Sequence, residues 1–526
     1  MEMLRLVHGL AAAGLCLSAA VLPFAAIAAP AAAMRLPLPE VSGPVPVTDT
    51  SKPFLSAAKS MEAAGYVEEE YFLSGMANVY DWVGQTRKVR VIAGPGRYVT
   101  RILVRRPRDA ARFSGNIEVS VLNASSGVDL GGPSDGGRMV RQGDVWIGIT
   151  TKALTAKALQ KFDPARYAPL DWTNPAPAAQ RCAHPSIIPF YMMGGEANFV
   201  KMSQMGVAGS SPETEDGLVW DMLGQLGLLL KSEQRQKILP GFGKPWVYMV
   251  GGSQSAIYIR TFLTGFHPRY RTPDGAPVYD GYLATVGPAL VRINQCSPDV
   301  PLDDPRQKLL PPDVPFISLS SEAEMALGKH TRQPDVVTPK GGIVTYEVAG
   351  GSHAGGEIPG QPRDLSAMPS MADFARSGIK MPAVMPGGGM TAMNDFPWAP
   401  ITRGAYHNLQ LWVRKGVLPP QSPGIAMDGA LAIKRDELGN ALGGLRMPYI
   451  DVPFASYRGS TTDEDMTGLM GARKPLPPET LKSLYPDHAA YVTRFAAATD
   501  RMLAGRWISP EDAAAMKAAA QAAQVP

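Results

Sequence analysis

Three cysteines in 526 residues are too few for a disulfide-built scaffold or a cysteine-rich metal fold. Lys and Arg are scattered singly or in pairs, with no basic run or stripe, so the net charge of +4 does not point to nucleic acid. No H-E-x-x-H string or comparable His/Asp spacing occurs, which disfavours a metallohydrolase. Beyond the first thirty or so residues no segment is apolar enough to cross a bilayer. What is present is a globular composition, 45 % hydrophobic and 19 % charged, long enough for one large domain with insertions or for two.

The N-terminus differs from the rest. Arg5 precedes an Ala-, Leu-, Val- and Ile-rich run over 10–29 that ends in Ala26-Ile27-Ala28, with Ala31-Ala32-Ala33 close behind. This predicts a signal peptide over 1–28 and a periplasmic or secreted protein with no stable membrane span once mature. The rival is an uncleaved anchor, against which Pro23 and the small-residue end both count. Export leaves Cys182 and Cys296 as the thiols of the mature chain, and one disulfide or two separate buried thiols are both open.

After a Pro-rich leader, short β-type runs appear at 66–72, 89–92, 98–104 and 117–122. Leu218, Met222, Leu226, Leu229 and Leu230 then recur at helical spacing before Pro240-Gly241 and a buried-strand run over 246–250. Further apolar runs follow at 281–286, 315–319 and 343–349. The order predicts an α/β fold with a central, mostly parallel sheet flanked by helices. Two Pro- and Gly-rich stretches, 151–211 and 354–400, interrupt the alternation and are expected as insertions over the sheet edge that form a cap. A helical segment at 478–526 includes Ser509-Pro510-Glu511-Asp512, an N-cap followed by a first-turn proline.

Gly251-Gly252-Ser253-Gln254-Ser255 stands between the strand over 246–250 and a run that can continue as a helix, the context of a nucleophile elbow. Small residues suit a strained turn packed close to its neighbours, and Ser255 replaces the usual second glycine. Gly350-Gly351-Ser352-His353-Ala354 is a second match, but Gly355, Gly356 and Pro359 follow it where a helix would have to start. The bland alternative for Ser253 is a small turn residue.

A serine nucleophile needs a positioned base, normally His held by a carboxylate. His8 leaves with the signal. His184 lies in a Pro-rich stretch, His330 in a polar one, His267 and His488 in expected surface turns, and His407 in a helical run. His353 stands on a Gly-rich loop after the last strong strand, where such sheets carry their chemistry. The acid should fall between them in sequence. Glu324 is expected in the loop after the strand at 315–319, with Glu322 as its rival. The Gln254 backbone N–H supplies one oxyanion donor by position, and the Asn123-Ala124 turn offers a second, unless it is a plain turn.

These residues also resemble the bacterial "alpha/beta hydrolase domain-containing" proteins. The shared text runs in order from Gly65-Tyr66-Val67-Glu68-Glu69-Glu70-Tyr71-Phe72 through Tyr98-Val99-Thr100-Arg101, Asp163-Pro164-Ala165-Arg166-Tyr167, Gly252-Ser253-Gln254-Ser255 and Gly351-Ser352-His353-Ala354 to Gly443-Gly444-Leu445-Arg446. The resemblance covers most of residues 60–510 and implies Ser253 as nucleophile and His353 as base, within one expected α/β-hydrolase domain over 34–526. Two departures stand out. This chain has Ser321-Glu322-Ala323-Glu324 where the family tends to read Glu-x-x-Asp-like, and Leu122 where an aromatic is usual. The activity expected is hydrolysis of a small-molecule carboxylic ester, apolar or aromatic, with no cofactor and no metal. The alternative is a non-catalytic ligand-binding protein on the same fold.

Overall fold

The computed structural model describes residues 36–525 except 191–195, 198–199, 201–209, 327–331, 362–367, 380–393, 430–431 and 462–468. The expected signal peptide, His330 and parts of both expected insertions lie outside the described residues.

Apolar runs with β-branched and aromatic residues become one ten-stranded sheet. Its strands are β1 (Glu40–Ser42), β2 (Tyr66–Trp82), β3 (Val89–Pro107), β4 (Asn116–Val121), β5 (Val145–Ile149), β6 (Trp246–Gly252), β7 (Gly281–Thr285), β8 (Pro315–Ser321), β9 (Val336–Val337) and β10 (Gly342–Val348). The spatial order is β1-β2-β3-β5-β4-β6-β7-β8-β10-β9. From β5 to β10 neighbouring strands run parallel, while β1, β2, β3 and the short β9 pair antiparallel at the edges.

A strand sends successive side chains to opposite faces. In β6, Val247 and Met249 enter one hydrophobic core with the helices Val219–Lys231 and Gln254–Gly265. Tyr248 and Val250 enter the other, with the helices Ala399–Lys415, His488–Ala504 and Pro510–Ala522. Burial on both faces explains why the central strands read as unbroken apolar runs. Ser509 caps the last helix by accepting from Asp512 N, as its sequence predicts.

Several expectations need correction. The runs at 66–72, 89–92 and 98–104 are parts of one long hairpin, because pairing continues past the Gly- and Asn-containing stretches through register shifts near Ala77 and Val79. Strand β5 was not expected from its five-residue run. The helix Ala153–Phe162 is not part of an insertion over the sheet edge: its Ala153, Ala156, Leu159 and Phe162 pack in the main core. His267 is not in a surface turn: it is buried, with Nδ1 2.9 Å from Tyr282 Oη and Nε2 2.7 Å from Asp313 Oδ1. Cys182 and Cys296 are joined, with Cα atoms 5.5 Å apart.

Register decides where the chemistry lies. Gly252 is level with Thr285, Thr285 with Leu319, and Ser321 with Val348, so the chain leaves β6, β8 and β10 along one rim. Ser253, Glu324 and His353 all sit just beyond those strand ends. That is the carboxyl edge where open α/β sheets bind ligands.

Candidate active site

Ser253 joins β6 to the helix Gln254–Gly265 with φ 55° and ψ −121°, the first central position of a type II′ turn, which glycine normally fills. The turn persists because its surroundings fix it. Ser253 N donates to Thr285 O at 2.8 Å. A Cβ on Gly251 would lie 2.7 Å from Ser255 Cβ, and one on Gly287 would lie 2.6 Å from Ser253 O. Ser255, in place of a second glycine, is buried with no partner for its hydroxyl among the described residues.

The side chains of Ser253, His353 and Glu324 meet in a chain. His353 Nδ1 is 2.5 Å from Glu324 Oε1, and His353 Nε2 is 2.8 Å from Ser253 Oγ. A carboxylate can only accept, so Nδ1 carries the proton, Nε2 presents its lone pair, and the Ser253 hydroxyl donates to it. Glu324 lies not in a loop but in the short helix Glu322–Ala326, and its Oε2 also accepts from Ser321 N at 2.9 Å and Ser321 Oγ at 2.6 Å. Burial alone would raise its carboxyl, but His353 and the Ser321 bonds outweigh it and hold Glu324 below the usual glutamate range. The imidazole remains 22 % exposed while Glu324 is 4 % exposed.

Gln254 is the first residue of its helix, and no acceptor among the described residues takes its N–H. The Asn123-Ala124 turn divides its work. Asn123 is corrected as a backbone donor: its N–H is committed to Leu130 O at 2.7 Å. Its side chain instead ties the turn to the elbow, Nδ2 donating to Gly252 O at 3.0 Å and Oδ1 accepting from Ser125 N at 2.8 Å. Between these anchors the Ala124 N–H has no acceptor among the described residues.

Of the rivals, His488 is not in a turn but opens the helix His488–Ala504, with Nδ1 2.7 Å from Val525 O. Ser352 is buried and donates its hydroxyl to Ala354 O at 2.9 Å, and Glu322 faces away from His353 into backbone N–H groups and Arg435. His407 lies on the helix Ala399–Lys415, where burial, aided by nearby cations, lowers its imidazole to about 4. Among the described residues no cluster of three or more His, Cys, Asp or Glu side chains is placed to hold a metal ion, and no helix is long and apolar enough to span a membrane.

Sequence reasoning missed the groups that hold the His353 loop. Asn394 Nδ2 donates to Gly350 O at 2.8 Å and to Arg458 O at 2.8 Å, and Trp398 Nε1 donates to Ser352 O at 3.1 Å. Asn394 and Trp398 stand more than forty residues along the chain from the loop carbonyls they hold, and no local pattern links them to it.

A family model described as an alpha/beta hydrolase domain matches residues 41–518. The chain belongs to this alpha/beta hydrolase family. A mostly parallel sheet flanked by helices, with a strand-turn-helix at Ser253, is the fold this membership calls for. No curated protein matches the chain. Solved structures that match include one described as a novel bacterial esterase, 12 % identical, covering 52 % of this chain and 78 % of that one with a TM-score of 0.20. Another is an acylaminoacyl peptidase of Pyrococcus horikoshii, 9 % identical, covering 48 % of this chain and 38 % of that one with a TM-score of 0.22. Similarity this low carries no weight for substrate. The family supports hydrolase activity for this alpha/beta hydrolase, and the substrate has to be argued from the site.

Proposed function

We propose that this alpha/beta hydrolase cleaves carboxylic esters of small apolar or aromatic molecules through an acyl-enzyme on Ser253. The observation that carries the reading is the continuous chain Ser253 Oγ, His353 Nε2, His353 Nδ1, Glu324 Oε1, at 2.8 and 2.5 Å, on a strained strand-to-helix turn. Ser253 Oγ attacks the ester carbonyl as its proton passes to His353 Nε2. Negative charge then grows on the carbonyl oxygen, where the Gln254 and Ala124 N–H groups are the free donors. Collapse expels the alcohol, which takes the proton from His353. Water repeats the sequence on the acyl-Ser253 ester and releases the acid. Glu324 holds the imidazole in the tautomer that keeps Nε2 facing the serine and stabilises the imidazolium.

The parts of 151–211 beyond the helix Ala153–Phe162, together with 354–400, carry Met, Tyr, Phe and Trp and are the segments proposed to cap the site and give it an apolar character. Export to the periplasm or beyond is part of the same proposal. It rests on the leader over 1–28 and is supported by the Cys182–Cys296 bond, which suits an oxidising compartment. The test is a panel of p-nitrophenyl and aryl esters of increasing acyl length assayed on the mature protein and on Ser253→Ala. Turnover by the first and none by the second is expected; equal turnover by both would contradict the proposal.

A further inference from the structure

We infer that Glu322 is a positioning residue for His353, and that the Arg435–Glu322 ion pair lets the C-terminal part of the chain set the register of the base. The inference rests on the reading of Ser253, His353 and Glu324 as a catalytic triad.

Helix residues two apart project about 200° from each other, so Glu322 and Glu324 point opposite ways from one turn. Glu324 takes His353. Glu322, fully buried, takes the backbone of the loop that carries His353: its Oε2 accepts from Gly350 N at 2.7 Å. Its Oε1 accepts from Gly459 N at 3.1 Å and from Arg435 Nη2 at 2.6 Å. One carboxyl group therefore joins three chain segments that are far apart in sequence.

The loop has little freedom left once these bonds form. Gly351 O accepts from Ala323 N at 3.3 Å, and His353 N donates to Leu469 O at 3.0 Å. Gly459 is pressed against the same corner, since a Cβ there would lie 2.5 Å from both Ala323 N and Gly351 O. Arg435 comes from a ribbon pinned to the end of β10, with Leu445 N donating to Glu347 O at 2.7 Å and Ala349 N donating to Leu445 O at 3.1 Å. Replacing the Glu322 carboxylate by an amide leaves one acceptor oxygen for Gly350 N, Gly459 N and Arg435, sets an N–H donor against another donor, and removes the charge that Arg435 pairs with. The loop then shifts by a fraction of an ångström and His353 Nε2 loses its aim at Ser253 Oγ.

Purified mature protein, Glu322→Gln and Arg435→Met are compared by fluorophosphonate labelling, scoring both the labelled fraction and the rate per labelled site, and by kcat and KM on a neutral p-nitrophenyl ester. A misaimed base predicts full labelling, a labelling rate and kcat about 10- to 100-fold lower in Glu322→Gln, a smaller loss in Arg435→Met, and KM within about threefold. A labelled fraction that falls in step with kcat, or a per-site rate equal to wild type, overturns the inference while leaving the triad intact. If Glu322→Gln does not fold, Arg435→Met, whose side chain is partly exposed, decides on the same criteria. Absence of label on folded wild-type protein would overturn the triad reading, and this inference with it.

Discussion

Two loops of this protein carry nearly the same letters and do opposite things. Gly251-Gly252-Ser253-Gln254-Ser255 becomes a strained elbow that offers its serine, whereas Gly350-Gly351-Ser352-His353-Ala354 buries its serine and offers its histidine. The difference lies on the C-terminal side of each loop. After Ser253 comes a helix whose packing fixes the turn; after His353 come Gly355, Gly356 and Pro359, and the loop is fixed by side chains from elsewhere, namely Glu322, Asn394 and Trp398. The elbow's strand, turn and helix are contiguous and can be read locally, although Thr285 and Asn123 also hold it. A braced loop cannot.

The largest expected effect separates the two serines. Ser253→Ala should lower ester kcat/KM by on the order of ten-thousand-fold or more, while Ser352→Ala should stay within about tenfold, measured on one neutral ester. Equal losses would erase the distinction between the loops. Next, Glu324→Gln should cost about a thousand- to ten-thousand-fold in kcat, well beyond Glu322→Gln, since the acid that touches His353 fixes its tautomer. The reverse order would make Glu322 the acid.

A smaller effect tests the glycines. Gly350 has φ 77° with Ile450 Cδ1 2.7 Å from where a Cβ would lie, whereas Gly360 has φ 83° and open space around it. Gly350→Ala should therefore destabilise by about 2–4 kcal/mol and Gly360→Ala by about 1 kcal/mol in denaturant unfolding. Equal costs would mean that backbone strain alone, not packing on Ile450, holds the His353 loop.

The smallest effect is on pH. Burial pushes Glu324 up, but its bonds to His353 and Ser321 pull it lower still, so its folded value is depressed. A depressed carboxyl contributes stability that is fully present above its unfolded value, about 4.3, and is lost as pH falls through the folded value. The Tm difference between wild type and Glu324→Gln should shrink as pH falls below about 4.3. A difference that held or grew below that pH would contradict the depressed value.

The sequence showed the central strands because both faces are buried and their residues form unbroken apolar runs. It showed Ser253 and His353 because each stands just past such a run. It did not flag β5, although Val145–Ile149 is as long as the Gly281–Thr285 strand and as apolar. It hid the choice between Glu322 and Glu324, because that depends on which way a helical turn faces. It misled on His267, whose partners Tyr282 and Asp313 are distant in sequence. The Asn123 turn was legible as a turn, but its division of labour, with Asn123 as anchor and the Ala124 N–H left free, needs the bond to Leu130 that only the fold supplies.

The most direct test of a serine nucleophile at the elbow is labelling of the mature protein with a fluorophosphonate probe followed by peptide mass mapping. Label on Ser253, none on Ser352, and loss of label in His353→Ala are expected. Label on any other serine, or a folded protein that takes none, would contradict that assignment.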